Sequence, residues 1–377
     1  MRQASQDRLK ADIDGFLATS STTMALAEYA NPVSVYADQG HLAAELSTVF
    51  RRVPLVVAHG SEVANPGDFL TQELSGVPVL VVRQPDGSVR AFVNLCRHRG
   101  AQLALEPSGC DRRFTCVYHA WTYKLDGSLS AIPNDEGFAG VDRDGLGLVR
   151  LSAEERHGLV WVILTPGLAI DVASFLGESL DDELAAWRLD TYGVERSRTL
   201  TERTNWKLIV DGFLETYHLR YLHANTVGPY IKSNLGPFTP FGPHGRMAIV
   251  RSRYDSEASS GDRFLRDVGA VYSIFPNTVL VWQSTHFERW SVLPDAADPG
   301  RCRAYTSILS PAGQKGEVEL WDKNWKILLS TVQEEDWPVA RATQAGFAAG
   351  AIPTMIFGRN EPALQHFHRS LAATISG

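Results

Sequence analysis

No stretch of this 377-residue chain holds the ~18 consecutive apolar residues a helix needs to cross a bilayer, and the longest candidate, residues 158–170, is broken by Pro166. The amino-terminal residues mix Arg2, Asp7, Lys10, Asp12 and Asp14 with few apolar side chains. They lack the apolar core of a secretory signal, so a cytoplasmic protein is expected. Basic charge is in deficit: 36 Lys and Arg against 43 Asp and Glu leave a net charge of −7, which argues against nucleic acid as a partner. Cysteine is scarce, and the four present have no spacing that implies a disulfide framework, a usage that fits a reducing compartment. There is no G-x-G-x-x-G fingerprint, so no nicotinamide or flavin site is read. Internal repeats and low-complexity tracts are also missing.

What is present is an ordinary globular composition long enough for two domains, with 44% hydrophobic residues to fill their cores. A boundary is expected near residues 165–175, where strand-like Leu159 to Leu164 ends at Thr165-Pro166-Gly167 and acidic, helical-looking sequence follows. The most specific pattern lies upstream of it. Cys96-Arg97-His98 is followed, after seventeen residues, by Cys116-Val117-Tyr118-His119, with Gly100, Trp121 and Tyr123 alongside. Two Cys-His pairs can hold a two-iron, two-sulfur cluster asymmetrically, one iron on thiolates and the other on imidazoles, which raises the potential above that of an all-thiolate cluster. This is the Rieske arrangement. A Cys₂His₂ set also suits zinc, but zinc fingers pair cysteine with cysteine and histidine with histidine, whereas here each cysteine has a local histidine. Strand signals at Val79 to Val82 and Val89 to Val93 flank the turn Pro85-Asp86-Gly87, and Phe114 to Lys124 precedes the turn Asp126-Gly127. Both ligand pairs are therefore expected near hairpin ends. Arg97, Arg99, Arg112 and Arg113 beside them read either as a landing surface for an acidic electron donor or as ordinary solvated loop charges.

A second constellation follows Asn205-Trp206-Lys207. In the run from Val210 to His223, Glu215 and His218 are three apart and share a helical face. His218 and His223 are five apart, about 140° around an ideal helix, so they share a metal only if the helix bends or widens there, as a single i→i+5 turn would do. The plain alternative is an amphipathic helix with two incidental histidines. Two histidines plus a carboxylate form the usual ligand set of non-haem Fe(II) oxygenases, so a third ligand is expected. Val332-Gln333-Glu334-Glu335-Asp336-Trp337-Pro338 supplies it, at the end of a helical segment running from about Glu317. Pro338 cannot complete the backbone bond to Glu334, and a kink or end there points Asp336 inward; Glu335 or Glu334 is the alternative, and a solvated acidic face is the plain reading.

These residues resemble the Rieske non-haem iron oxygenases, specifically the α subunit of their terminal oxygenase (the aromatic-ring-hydroxylating dioxygenase family). The likeness covers almost the whole chain through the C-x-H and C-x-x-H pairs, N-W-K, E-x-x-H-x₄-H and Q-E-E-D, in that order. It implies an α+β fold, with an all-β Rieske [2Fe-2S] domain at residues 45–165 and a catalytic mononuclear-iron domain at 166–377 built on a central antiparallel sheet flanked by helices. Residues 1–44 would be a helical segment packed on the catalytic domain. By the same resemblance Cys96 and Cys116 hold one cluster iron, His98 and His119 the other, and His218, His223 and Asp336 the Fe(II). Glu215 stands where the family places a bridging carboxylate; many members carry Asp there, and Glu is a longer variant shared with some relatives, including ones similar to quaternary-amine oxygenases.

The resemblance also implies a reaction. Electrons from NAD(P)H pass through a separate flavin-containing reductase, often with a ferredoxin, to the cluster and then to the iron, where O₂ is activated. Members assemble as head-to-tail homotrimers in which the cluster of one subunit faces the iron of the next. The block around Glu215 looks most like chains that hydroxylate aromatic compounds, which is the expected activity. N- or O-demethylation, as of a quaternary amine, is the alternative, and a non-catalytic Rieske electron carrier is the alternative of another class. Val271 to Phe275 and Thr278 to Trp282 flank Pro276-Asn277 as a hairpin of the catalytic sheet, which makes Phe275, Trp282 and His286 candidate pocket walls; the plain reading of such aromatics is core.

Overall fold

Runs rich in Val, Ile, Leu and aromatics, separated by Gly, Asp and Pro turns, become strands throughout the computed structural model, which describes residues 1–311 and 318–377. Two seven-stranded sheets with surrounding helices make the chain α+β, as the sequence implies. The residues group into two units, one of Phe50–Phe175 with Leu189–Gly193, the other of Met1–Val49, Leu176–Arg188 and Val194–Gly377. Among the described residues no helix is long and apolar enough to cross a membrane.

In the first unit the strands run, by neighbour, Leu55–His59, Leu159–Ile163, Arg150–Arg156, Val89–Val93, Val77–Arg83, Asp68–Leu74 and Ser108–Cys110, every pair antiparallel. The Pro85-Asp86-Gly87 turn joins two of them as read. Gly87 supplies the positive φ of 83°, and Asp86 Oδ1 accepts from the Ser88 N–H at 2.9 Å. The stretch from Phe114 to Lys124 is not one strand. It divides into Arg113–Thr115 and Thr122–Lys124, paired antiparallel, with a loop from Cys116 to Ala120 between them. Phe69, Leu80, Phe92, Phe114, Trp121 and Tyr123 pack into a core that includes both Cys96 and Cys116.

In the second unit the sheet order is Tyr192–Glu202, Cys302–Pro311, Phe287–Pro294, Thr278–Trp282, Val268–Ile274, His244–Val250 and Phe238–Phe241, and the last six pair antiparallel. Helix Trp206–Phe213 packs near it, capped by Asn205, whose side chain accepts from the Lys207 N–H at 2.9 Å and donates to the carbonyls of Tyr36 and Pro299. The N-W-K segment thereby has a structural account. Lys207 is sealed inside the unit, its ammonium 2.6 Å from Glu45 Oε1, while the Trp206 indole N–H donates to Glu45 Oε2 at 3.0 Å. Burial pushes the Glu45 carboxyl up, but Lys207, His41 and Trp206 outweigh it and hold it below its ordinary value. That stabilisation is complete above the unfolded carboxylate's pKa and is lost as pH falls through the folded one. Glu45→Ala strands the Lys207 charge and is expected to cost about 3–5 kcal/mol, read as a lower denaturant midpoint. The helix at Val318–Ser330 continues through a wide turn, Thr331–Asp336, into Trp337–Phe347. Glu317, the start read from sequence, lies outside the described residues.

Candidate active site

The two Cys-His loops of the first unit are built alike. The Cys96 N–H donates to the Ala101 carbonyl at 2.8 Å, and the Gly100 N–H returns to the Cys96 carbonyl at 2.9 Å. In the second loop the Cys116 N–H donates to Trp121 and the Ala120 N–H to Cys116, both at 2.9 Å. Each loop closes through a left-handed residue, Gly100 at φ 72° and Ala120 at φ 57°. The repeated closure sets both cysteines on the core side, where they are buried and unbridged, and puts His119 at the surface. The imidazoles of His98 and His119 meet with centroids 4.6 Å apart, and His98 stacks on Trp121. His98 Nδ1 is buried without a hydrogen-bond partner among the described residues. Two thiols in one core and two imidazoles in contact, one with an unclaimed ring nitrogen, fit an asymmetric iron-sulfur cluster. The Tyr123 hydroxyl lies 3.4 Å from Cys96 Sγ and accepts from the Arg97 N–H, so a hydrogen-bond donor is already placed on one sulfur. All four arginines beside these loops, Arg97, Arg99, Arg112 and Arg113, are exposed.

In the second unit the helix does not continue to His223. It ends at Phe213; His218 opens a short 3₁₀ turn, His218–Arg220, and His223 sits in the turns that follow. The widened turn expected between the histidines lies instead at Thr331–Asp336, where it delivers the carboxylate. The reason is local. Glu215 folds back so that Oε2 accepts the N–H groups of Tyr217 and His218, the latter at 3.0 Å, which starts a new turn in place of the old helix. Gly228 completes the crossing: a Cβ there would lie 2.4 Å from the Leu219 carbonyl oxygen and 2.7 Å from that of His223.

The result is a compact donor set. His223 Nε2 is 3.0 Å and His218 Nε2 3.7 Å from Asp336 Oδ1, and all three ligand atoms lie within 4.8 Å of one another. Both histidines are oriented by a glutamate on the opposite nitrogen. Glu215 Oε1 takes His218 Nδ1, and Glu335 Oε2 lies 2.5 Å from His223 Nδ1 while also accepting from the Thr226 hydroxyl at 2.8 Å. Burial disfavours the charged form of His223, yet Asp336 and Glu335 keep its pKa above the ordinary histidine value. Two imidazoles and one carboxylate bordering a cavity are the donor set that would hold a non-haem Fe(II). Glu335 is thus turned to the outer side of His223, and Glu334 is exposed to solvent. Glu335→Gln weakens the orientation of His223 and is expected to lower iron affinity about tenfold in a chelator competition, with the cluster absorption unchanged.

These three residues open onto a cavity of about 830 Å³. Its sheet wall includes a cross-strand row, Met247, Val271, Val281 and Glu288, each paired with the next, with Ile249 beside it. Leu208, Phe213, Leu328 and Trp337 close the apolar sides. Asp211 also lines it, held from behind by the Tyr36 hydroxyl at 2.7 Å and by His368 Nε2 at 2.9 Å.

Sequence comparison places these features in a family. Residues 189–377 match the model of the ring hydroxylating alpha subunit catalytic domain, and residues 53–142 match the Rieske [2Fe-2S] domain. The chain belongs to the ring hydroxylating α-subunit family. This α subunit is 37% identical over 204 residues, 51% of each chain, to the carnitine monooxygenase oxygenase subunit of Escherichia coli K12, so the match spans about half the length of that relative. It is 27% identical over 372 residues to benzene 1,2-dioxygenase subunit alpha of Pseudomonas putida, covering 89% of this chain and 79% of that one. Among solved structures, the quaternary ammonium Rieske monooxygenase CntA in complex with an inhibitor shares the fold, with a TM-score of 0.81 at 22% identity over 94% of this chain and 96% of that one.

Of the three candidate wall residues of the α subunit, only His286 lines the cavity. Trp282 does not: strand side chains alternate, Val281 takes the cavity face, and its neighbour is turned to the other side, against Trp187 and Phe287. Phe275 is core at the hairpin turn, its N–H donating to His244 Nδ1. Sequence reading missed Arg251, Gln283 and Glu288, which the same alternation brings to the wall, and it missed Glu335 as the partner of His223.

Proposed function

We propose that this chain is the terminal oxygenase component of a multicomponent Rieske oxygenase. One observation carries the reading: three donor atoms of the Fe(II) type converge within 4.8 Å, with each histidine's other nitrogen claimed by a glutamate. In this reading Cys96, His98, Cys116 and His119 hold the [2Fe-2S] cluster, and His218, His223 and Asp336 hold the iron. When bound, these groups supply one-electron transfer and activation of O₂.

The protein's own part is positioning. Glu215 fixes the His218 ring so that Nε2 faces the metal, and its carboxylate is the link to His119 of a neighbouring copy in a head-to-tail trimer. The apolar walls at Phe213, Leu328 and Trp337 exclude water and hold the substrate beside the open directions of the site. Electrons come from NAD(P)H through a separate flavin reductase, with or without a ferredoxin, and exposed Arg97, Arg99, Arg112 and Arg113 receive that donor electrostatically.

Hydroxylation of an aromatic compound suits the size and apolar walls of the cavity. N-demethylation is the second reading, favoured by the relatives named as carnitine monooxygenase and glycine betaine monooxygenase subunits. A substrate screen with a surrogate reductase separates them: ring hydroxylation gives a product labelled from ¹⁸O₂, whereas demethylation releases formaldehyde. Iron content tests the class itself, since an oxygenase holds about three iron per chain and an electron carrier about two.

A further inference from the structure

Arg251 follows the strand His244–Val250 and continues its cavity-facing positions after Met247 and Ile249. Its backbone is fixed on two sides, by an N–H bond to the Asp267 carbonyl at 2.9 Å and by a bridge to Ile231. The guanidinium donates to Gln283 Oε1, and the Gln283 amide in turn donates to Glu288 Oε1 at 3.1 Å. Two other arginines withdrawn from solvent, Arg83 and Arg246, each close on a carboxylate at 2.5 Å. No described carboxylate lies within ion-pair distance of Arg251. Arg251 lines a cavity whose other walls are mostly apolar, where a cation with no carboxylate partner among the described residues calls for an anion.

We infer that Arg251, with Gln283 and Glu288, forms a subsite for a carboxylate group, so that the substrate of this oxygenase is an organic acid. The inference rests on the cavity being the substrate chamber proposed above. The neighbouring groups agree on the sign of the ligand. Burial pushes the Glu288 carboxyl up to about 7 against the opposing pull of Gln283, Trp290 and Arg251, so it can take up a proton and donate to an incoming anion. Burial and Arg251 hold His286 down to about 4, which leaves its ring neutral. Arg251 alone cannot shed its charge, so a cationic head group would meet fixed repulsion there. One planar guanidinium matches one carboxylate through two parallel hydrogen bonds.

The test is calorimetric binding to the metal-loaded protein of paired probes that differ only in acid against primary amide: benzoate and benzamide, phenylacetate and phenylacetamide, glycine betaine and its amide. In at least one pair the acid is expected to bind about tenfold tighter than its amide, and Arg251→Gln is expected to erase the difference. Arg251→Lys, which keeps the charge without the fork, should retain part of it, and it carries the test if the glutamine variant fails to load its cluster. Preference within the benzoate or phenylacetate pairs identifies an aromatic acid; preference confined to the betaine pair identifies an ammonio acid. No acid preference in any pair overturns the subsite, and so does a preference that survives Arg251→Gln. Iron measured on the same samples separates this from the parent reading: about three per chain with no acid preference leaves the oxygenase standing and removes only the subsite.

Discussion

His218→Ala is expected to keep the cluster's visible absorption while total iron falls from about three to about two per chain. The substitution removes Nε2, one of the three atoms that lie within 4.8 Å of one another, and leaves His223 and Asp336 as a two-ligand site. It also frees Glu215, whose Oε1 loses its ring partner. Coupled oxidation of substrate should drop by roughly 10³-fold, since the residues of such a unit act together. The cluster loops belong to the other compact unit and have their own backbone closures at Cys96 and Cys116, so their signal should survive. Full iron content in the variant would count against the ligand assignment.

The second large effect is expected from Glu215→Gln. The replacement has the same shape, and its amide oxygen can still accept from the N–H groups of Tyr217 and His218, so the turn and both metals should persist. What disappears is the carboxylate on His218 Nδ1, the group proposed to connect the imidazoles of adjoining copies. The cluster should reduce at its normal rate, yet coupled turnover should fall about 100-fold. Stopped-flow reduction alongside product formation checks this. Near-normal coupling would refute the linking role of Glu215.

The candidate cluster residues stand out in the sequence because each pair is local, Cys96 with His98 and Cys116 with His119. His218 and His223 are five apart and Asp336 lies far downstream, so grouping those three needed the family resemblance as well as spacing. The path from His218 to His223 is not legible, because the sequence pattern reads as one continuing helix whereas the helix ends at Phe213. Nothing in the pattern announces that Glu215 turns back on its own backbone and restarts the chain as a 3₁₀ turn. Pro338 was read correctly as a disturbance, but it marks a wide turn inside a continuing helix rather than an end, and its missing donor falls where the bonding pattern is already loosened. Strands were legible from their composition; their facing was not. Val281 and Trp282 differ by one position and point to opposite sides, and only the pairing of Val281 with Val271 and Glu288 says which side is the cavity. Glu335 reads in the sequence as a rival of Asp336, whereas the two adjacent residues in the widened turn serve the two ends of one histidine.

The Tyr36, Asp211 and His368 contacts set an order of events during synthesis. Tyr36 is made early, but its partners lie 175 and 332 positions downstream. Asp336 likewise leaves the ribosome long after His223, and Glu335 follows His223 by 112 residues. Translation proceeds from the amino end, so the candidate iron pocket stays unfinished until Asp336 has been made, and His368 then locks the wall behind it. Iron can therefore be gripped only after segments made 112 positions apart have met.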